Sequence, residues 1–500
     1  MKNAVSGLGL APDAARVTFP IDLFLPGSDI TPVQTRRHEF YDGLTRWQPD
    51  FVQAAPGATG AMLAVEGASY EDALVKANNL LIANLRGDGL PLWPATKERV
   101  DWILRGTAFP RAHRIGKFPP RGGIATVESC AIALAMAGGR PEYLPVLVAA
   151  VDAFLDPASG SEQLQAASGS AFPVVIVNGP VGRQIRLNSG FGCLGPDPQR
   201  PAGASIGRAL RLMQQNVGGA LPGIGTMANF GGMRYTNAVF AEDEDSLPAG
   251  WQPHATERHG FAPGSNSISL VFANGAANIR RRGAKKETPE EDTLQGMHRM
   301  ADFMRTPNMA ALPGYENGTP GILMIPGVVA QTLAGLGWSK RSMREFFWQH
   351  SKIPMEHLRR AGCPAWIEID PNPVTRESLK LDPWPITSRP ENFVIIVAGG
   401  GHPTNSYWLQ GYCPRVIGRE IRLPESFDRL LAEADRDLGC GSEGCLIWAS
   451  AGRRARSRHA NLHAIRYQNR EGSLDRKGRK PWNLSAPPSW DCTWGAGRGG

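Results

Sequence analysis

Three titratable residues in the first third of the chain could perform acid/base chemistry. His113 lies in an arginine-rich loop, Glu128 falls in the first turn of a predicted helix, and Glu142 directly precedes a strongly apolar helix. A carboxylate at a helix N-terminus often only compensates the helix dipole. Beside apolar side chains, its pKa can instead rise until it exchanges protons near neutral pH. We therefore predict that Glu128, Glu142 and His113 are catalytic, with dipole compensation as the alternative for the two glutamates.

A second set of residues could bind an anion. The sequence predicts a helix over 205–217 with Ser205 at its N-cap and Arg208 in its first turn, where free N–H groups and a cation would meet an anionic ligand. Arg114, next to His113, is a further predicted substrate contact. Residues 203–207 also match G-x-S-x-G, but no strand precedes them, which favours a plain cap over a nucleophile.

Two glycine-rich segments could approach a ligand closely. Residues 190–195 match G-x-G-x-x-G, but three prolines follow between 196 and 201, so the helix of a dinucleotide site is not expected and a loop is predicted. Gly400 and His402 lie in a loop that follows a predicted strand over 393–397. The carboxyl ends of strands in open α/β sheets commonly hold ligands, so we predict a substrate contact there, with a tight turn as the alternative.

The sequence shows no pattern typical of a metal or cofactor site. His254 and His259 fit neither metalloprotease pattern, and the preceding Trp-Gln-Pro predicts a loop that does not enforce ligand geometry. The seven cysteines are scattered without a C-x-x-C pair. We expect neither a metal nor a cofactor.

The elements that would position these residues predict an α/β fold. Helices are expected over 97–105 after the cap Thr96, from 127 after the cap Thr126, and over 144–155. The remaining predicted elements are the strands 173–177, 268–272, 321–325 and 393–397, and the helices around 343–349 and over 425–438.

The order of these elements predicts two α/β units with mixed or parallel sheets and Gly/Pro-rich loops. The proposed division is an extended lead (1–60), a first domain (61–279), a charged linker or loop (280–295), a second domain (296–438) and a basic tail (439–500).

Charge and hydropathy exclude several function classes. Eleven Lys/Arg against four acids in residues 440–500 account for nearly all of the net charge of +8, so the rest of the chain is close to neutral and is not expected to bind nucleic acid. That tail is expected to be either a disordered arm or an out-of-frame translation. Because no apolar run approaches about 20 residues and no signal sequence is visible, we expect no membrane span and a cytoplasmic location.

Two sequence stretches resemble a known family. Gly123–Glu128 and Met136–Pro145 are similar to bacterial proteins that are associated with, or fused to, a UGSC-type selenocysteine/cysteine domain. The resemblance implies a redox or thiol-linked context. Gly139 replaces the cysteine expected from the family, and Glu443 follows Cys440-Gly441-Ser442, so a UGSC-type partner protein would supply the reactive chalcogen.

Together these features predict a cytoplasmic enzyme that acts on a small anionic organic substrate. Acid/base chemistry of the lyase or hydrolase type is favoured, and an oxidoreductase is second. The alternative is a partner-dependent thiol/selenol redox protein or its non-catalytic subunit. We expect the chain to form a homo-oligomer.

Overall fold

The computed structural model describes residues 27–46, 63–223, 225–231, 237–280, 288–412 and 415–438. The chain divides into two units, residues 1–442 and 443–500, and every described residue belongs to the first. The predictions for the basic tail therefore lie outside the described residues, as do most of those for the lead over 1–60.

The helices predicted over 97–105, from 127 and over 144–155 are present, and Thr96 and Thr126 cap the first two as expected through hydrogen bonds from Arg99 N and Ser129 N. The helices are α1 Thr31–Thr35, α2 Arg37–Thr45, α3 Tyr70–Ala83, α4 Lys97–Leu104, α5 Val127–Met136, α6 Leu144–Leu155, α7 Ser161–Ala166, α8 Val181–Gln184, α9 Ala202–Asn216, α10 His254–His259, α11 Pro289–Met304, α12 Gly327–Gly335, α13 Lys340–His350, α14 Met355–Arg360, α15 Cys363–Glu368, α16 Pro373–Glu377 and α17 Phe427–Leu438.

The charged segment 280–295 was predicted to be a linker or loop, and its second half is instead helical. Thr288 and Glu291 form a capping box, in which each side chain accepts a hydrogen bond from the other residue's backbone N–H. The acidic residues that suggested a solvated loop thus occupy the first turn of α11, where the helix dipole favours negative charge.

The strands form a two-stranded ribbon and one mixed sheet. The ribbon pairs β1 with β2, and the sheet has the order β4-β3-β5-β8-β6-β7, with β9 paired to β5. The strands are β1 Arg114–Phe118, β2 Gly123–Thr126, β3 Phe172–Asn178, β4 Ala238–Ala241, β5 Ser267–Arg280, β6 Gly321–Ile325, β7 Val394–Val397, β8 Asn405–Gly411 and β9 Ile417–Glu420.

The sheet consists of two halves with the same connectivity. In the first half β3 runs through helices to its parallel neighbour β4, and β5 returns antiparallel beside β3. In the second half β6 runs through helices to the parallel β7, and β8 returns antiparallel beside β6. Pairing of β5 with β8 joins the halves. The strands predicted for two α/β units therefore lie in a single sheet.

The sheet curls around an apolar interior. Inward side chains from all six strands of the main path form one buried cluster, which includes Ile176, Phe240, Val271, Met324, Ile396 and Leu409. Helices α5, α6 and α9 cover the outer face of the first half, and α11, α12 and α13 cover the second. Full burial of each large side chain stabilises the fold by about 1.5–3 kcal/mol. No helix in the described part of the chain is long and apolar enough to cross a membrane.

Candidate functional site

The carboxyl ends of the two edge strands of the curled sheet, β4 and β7, lie next to each other. The backbone N–H of Asp243, just after β4, donates to the carbonyl of Val397 at the end of β7 (2.8 Å). The segment that follows α8 lies between them, because Ala241 N donates to Asn188 O (3.0 Å) and Gly399 N donates to Ser189 O (2.8 Å). We call this meeting point, formed by residues 188–192, 242–244 and 397–402, the edge junction.

Glycines allow two loops of the edge junction to touch. Gly399 and Gly400 have φ angles of 105° and 83°, which other residues rarely adopt. A Cβ atom on Gly400 would lie 2.8–3.0 Å from the ring of Phe191. The G-x-G-x-x-G segment is a loop, as expected, and the next helix begins only at Ala202. Two of the predicted ligand residues, Gly400 and His402, thus lie in the edge junction.

Asp243 is a half-buried carboxylic acid in the edge junction. Burial raises its pKa above the ordinary aspartate value of 3.8, and the neighbouring Asp245 acts in the same direction. A hydrogen bond from Ser246 and the positive charge of Arg200 partly oppose this increase in the pKa. A carboxyl group whose pKa is raised by its surroundings is a candidate for proton transfer to or from a bound ligand.

Arg200 provides a cation beside Asp243. Its Nη1 donates to Asn188 Oδ1 (3.1 Å), and Asn188 in turn donates to Asp197 (3.1 Å) and to the carbonyl of Phe191 (2.9 Å). Arg200 is only partly buried, and within the described ranges it forms no ion pair with a carboxylate. Most of its N–H donors are therefore available to an anionic ligand.

A buried polar cluster holds the backbone of the edge junction in position. Glu242 accepts hydrogen bonds from His254 N (2.6 Å), Asn178 Nδ2 (2.7 Å) and Lys340 Nζ (3.2 Å). The side chains of Glu242 and Lys340 are 0% and 3% exposed. One carboxylate thus connects the end of β3, α10 and α13, and it fixes the backbone that carries Asp243.

His254 and His259 belong to a short helix, α10, so the predicted loop is wrong. Pro253 precedes this helix, and Gly260 ends it with a φ of 72°. Burial lowers the pKa of His254 well below its ordinary value, and burial also lowers the pKa of His259 to about 4. His259 Nε2 is hydrogen-bonded to Ser269 Oγ (3.0 Å). Among the residues that the structure describes, no group of three or more His, Cys, Asp or Glu could hold a metal ion.

The three predicted acid/base residues lie in two different parts of the structure, with Glu142 in one and His113 and Glu128 in the other. Glu142 is 2% exposed, and Arg140 Nε donates to its Oε1 (2.6 Å). Burial raises the pKa of Glu142, and its Oε2 has no hydrogen-bond partner among the described residues. Arg140 also donates to Asp437 (2.8 Å) on α17, the last described helix. Glu142 therefore belongs to a polar cluster that Arg140 connects to α17.

His113 and Glu128 are neighbours on the surface. The carbonyl of His113 accepts from Val127 N (3.1 Å), and the His113 ring stacks on Phe109 with a centroid distance of 4.6 Å. Glu128 is exposed and accepts from Arg111 Nε (2.9 Å). Arg114 is exposed at the start of β1.

The predicted start of α9 is wrong. The helix begins at Ala202 with Pro201 at the N-cap position, and Ser205 N donates to Pro201 O (3.2 Å) within the first turn. Arg208 forms two hydrogen bonds to the Asp88 carboxylate (2.7 and 2.8 Å) and a third to a backbone carbonyl. Its guanidinium is thus already neutralised, whereas Arg200, eight residues earlier, has its charge available.

Asp243 and Arg200 are not among the site residues that the sequence predicts. Asp243 lies in the acidic run 242–245, which resembles a solvated loop, and Arg200 lies among prolines. The position of Asp243 directly after a short apolar run, at the carboxyl end of a strand, is the signal that could have identified it.

A comparison of the chain with protein-family models, curated proteins and solved structures finds no match in any of the three. The function is therefore inferred from the edge junction itself.

Proposed function

We propose that this chain is an enzyme that binds a small anionic organic substrate at the edge junction and acts on it by acid/base chemistry of the lyase or hydrolase type. The observation that supports the proposal is the placement of a half-buried carboxyl group, Asp243, beside the available cation of Arg200 and a glycine-rich loop. An anion held by Arg200 would have its reacting atoms within reach of a proton donor or acceptor.

The contacts around Asp243 suggest how the roles divide. The planar guanidinium of Arg200 can bind a carboxylate or phosphate through two parallel hydrogen bonds. In the described part of the chain, the backbone N–H groups of Gly400 and Gly401 donate to no protein acceptor, so they can stabilise negative charge that develops on the substrate. A bound anion would also raise the pKa of Asp243 further, because like charges disfavour ionisation. Asp243 is then best suited to be the proton donor.

The redox alternative receives no support from the described cysteines. Cys130, Cys193 and Cys363 are all buried, and burial raises the pKa of Cys130 to about 12. A thiol that is protonated at neutral pH is a poor nucleophile. Thiol chemistry would have to come from a partner protein.

Ligand-induced thermal stabilisation tests the binding half of the proposal. We expect small carboxylic or phosphorylated acids to raise the melting temperature of the wild-type protein saturably. Arg200→Met should weaken the apparent affinity at least about tenfold, because one charge-assisted contact is lost. The control Arg341→Met removes an 86%-exposed arginine on α13 and should not change the affinity. Equal binding by wild type and Arg200→Met would contradict the proposal.

The catalytic half is tested with Asp243→Asn. This variant should still bind the acid identified by thermal stabilisation, while its conversion, followed by NMR, should fall about 10²-fold or more. Full turnover by Asp243→Asn would remove Asp243 from the mechanism.

A further inference from the structure

Phe191 is an exposed aromatic residue in the edge junction. It is 68% exposed, whereas the nearby Cys193 is 7% exposed and belongs to the buried cluster inside the sheet. Single exposed apolar residues are common on protein surfaces, so the exposure of Phe191 is informative only together with the groups around it. These groups are a rigid turn, a glycine-rich loop and a cation.

The turn fixes the position of Phe191. Cys193 N donates to Gly190 O (3.2 Å), and Gly192, with a φ of 75°, occupies the position of this turn that requires a left-handed residue. The amide of Asn188, which is buried, donates to the carbonyl of Phe191 (2.9 Å). The turn and this amide therefore hold the backbone of Phe191 independently of its ring.

One side of the Phe191 ring lies against the glycine-rich loop after β7. A Cβ atom on Gly400 would lie 2.8–3.0 Å from the ring, so glycine is the residue that allows this contact. A Cβ atom on Gly399 or Gly401 would meet no described atom within 4 Å. The loop is therefore uncovered on both sides of its contact with the ring, and it leaves space for a ligand there.

Arg200 places a positive charge next to the turn. Its Nη1 lies 3.4 Å from the position of a Cβ atom on Gly190, the residue before Phe191. The side chain of Asn188 connects the two groups, because its Oδ1 accepts from Arg200 while its Nδ2 donates to Phe191. The cation and the backbone that carries the exposed ring are thus bound to the same amide group, so one small ligand can contact both.

We propose that the edge junction selects carboxylic acids that carry an aromatic group, with the carboxylate on Arg200 and the aromatic group on the exposed side of Phe191. This inference rests on the proposed function, because it names the class of acid that is bound there. Aromatic rings pack against each other with an offset or edge to face, and such pairs gain affinity beyond that from buried apolar area. Phe191 is then a determinant of substrate specificity and takes no part in proton transfer.

Three carboxylates that each carry one negative charge test the proposal: acetate, cyclohexanecarboxylate and benzoate. Their apparent affinities for the full chain are measured by saturable thermal stabilisation. We expect cyclohexanecarboxylate to bind about tenfold more tightly than acetate, because it buries apolar surface. Benzoate should bind at least about threefold more tightly than cyclohexanecarboxylate, because its flat ring can pack against Phe191.

Substitutions of Phe191 separate the effect of the ring from that of the cation. Phe191→Ala should weaken benzoate binding about tenfold or more and leave acetate binding unchanged, because Arg200 is intact. Phe191→Leu keeps an apolar side chain and should lose the preference for benzoate over cyclohexanecarboxylate. The control Phe303→Ala removes a phenylalanine on α11 that is 47% exposed, and it should bind all three acids like the wild type.

Two results would overturn this inference: equal affinity of the wild type for the three acids, or an equal loss of affinity for all three in Phe191→Ala. In either case, loss of acetate binding in Arg200→Met would leave the proposed function standing. Absence of binding of every acid, phosphorylated acids included, would overturn both the inference and the proposed function.

Discussion

At the scale of single residues, Glu142 illustrates how burial turns a surface-type residue into a determinant of pH-dependent stability. Its carboxylate is almost completely removed from water, and only one oxygen has a hydrogen-bond donor among the described residues. Burial raises its pKa, and the nearby guanidinium of Arg140 offsets only part of that increase. The folded protein therefore retains a proton on Glu142 at pH values where the unfolded chain, with a pKa near 4.5, has released it.

This difference predicts a pH-dependent effect of Glu142→Gln. Because the folded state binds the extra proton, the wild type loses stability as the pH rises from about 4.5 through the raised pKa, and the variant does not. The free energy of unfolding of the variant should thus increase relative to the wild type over this window. Each unit of elevation in the pKa corresponds to about 1.4 kcal/mol.

Urea unfolding at a series of pH values measures this difference. Glu128→Gln, which alters a glutamate whose side chain is 39% exposed, is the control for the loss of one carboxyl group and should not reproduce the gain expected for Glu142→Gln. Parallel stability curves for the wild type and Glu142→Gln would show that the ion pair with Arg140 compensates fully for burial.

The sequence predicted the positions of individual charged residues better than it predicted the residues that they contact. It placed Glu142 at the start of a buried helix, and the structure confirms this position. Arg208 was predicted to face an anionic ligand, but its carboxylate partner Asp88 lies 120 positions away in the sequence. Local patterns do not reveal such a contact, because it depends on how α9 packs against the loop after α3.

At the scale of elements, the carboxylate of Glu242 connects the end of β3 with helices α10 and α13. Lys340, in the first turn of α13, reaches this carboxylate from 98 positions away. Removal of one partner of a buried ion pair leaves an uncompensated charge in the interior. We therefore expect Lys340→Met to destabilise the fold by about 3–5 kcal/mol.

Chemical denaturation measures this effect. The control Lys97→Met removes a lysine whose side chain is 62% exposed and should leave the unfolding free energy nearly unchanged. A loss for Lys340→Met as small as that of the control would mean that Glu242 is held by its backbone and amide donors alone.

Local sequence signals located elements where a cap or a buried apolar run was present. The helix predicted over 144–155 has these same bounds in the structure, and the strand predicted over 321–325 is also confirmed. The predicted helix starts were wrong where prolines or charged residues dominated the local sequence. Pro201 allows α9 to begin at Ala202, because a proline before the first turn lacks an N–H that would need a partner.

At the scale of the whole molecule, the single curled sheet predicts that the two proposed units cannot fold separately. Residues 61–279 would retain β3, β4 and all but the last residue of β5, but the pairing of β5 with β8 would be lost. The inward side chains of the first half, such as Val271, would lose their partners from the second half, such as Leu409. Sequence patterns cannot reveal this arrangement, since each half by itself reads as an ordinary α/β unit.

Expression of fragments tests this prediction. Residues 61–279 and 296–438, produced separately, should bind a hydrophobic dye and unfold without a cooperative transition, whereas mixing them should restore cooperativity. The intact chain is the control and should show one main transition for the region that contains the sheet. Cooperative unfolding of each fragment alone would support two independent domains instead.

The meeting of β4 and β7 also affects how the folded protein behaves in a crowded solution. An open sheet normally ends in two strands whose unpaired N–H and C=O groups can recruit a strand from another molecule, which is a common route to aggregation. Here both outermost strands have only four residues, and the backbone of Asn188 and Ser189 occupies the gap where they converge. The curvature that brings β4 and β7 together at the edge junction therefore leaves only a short strand edge on which pairing with another molecule could begin.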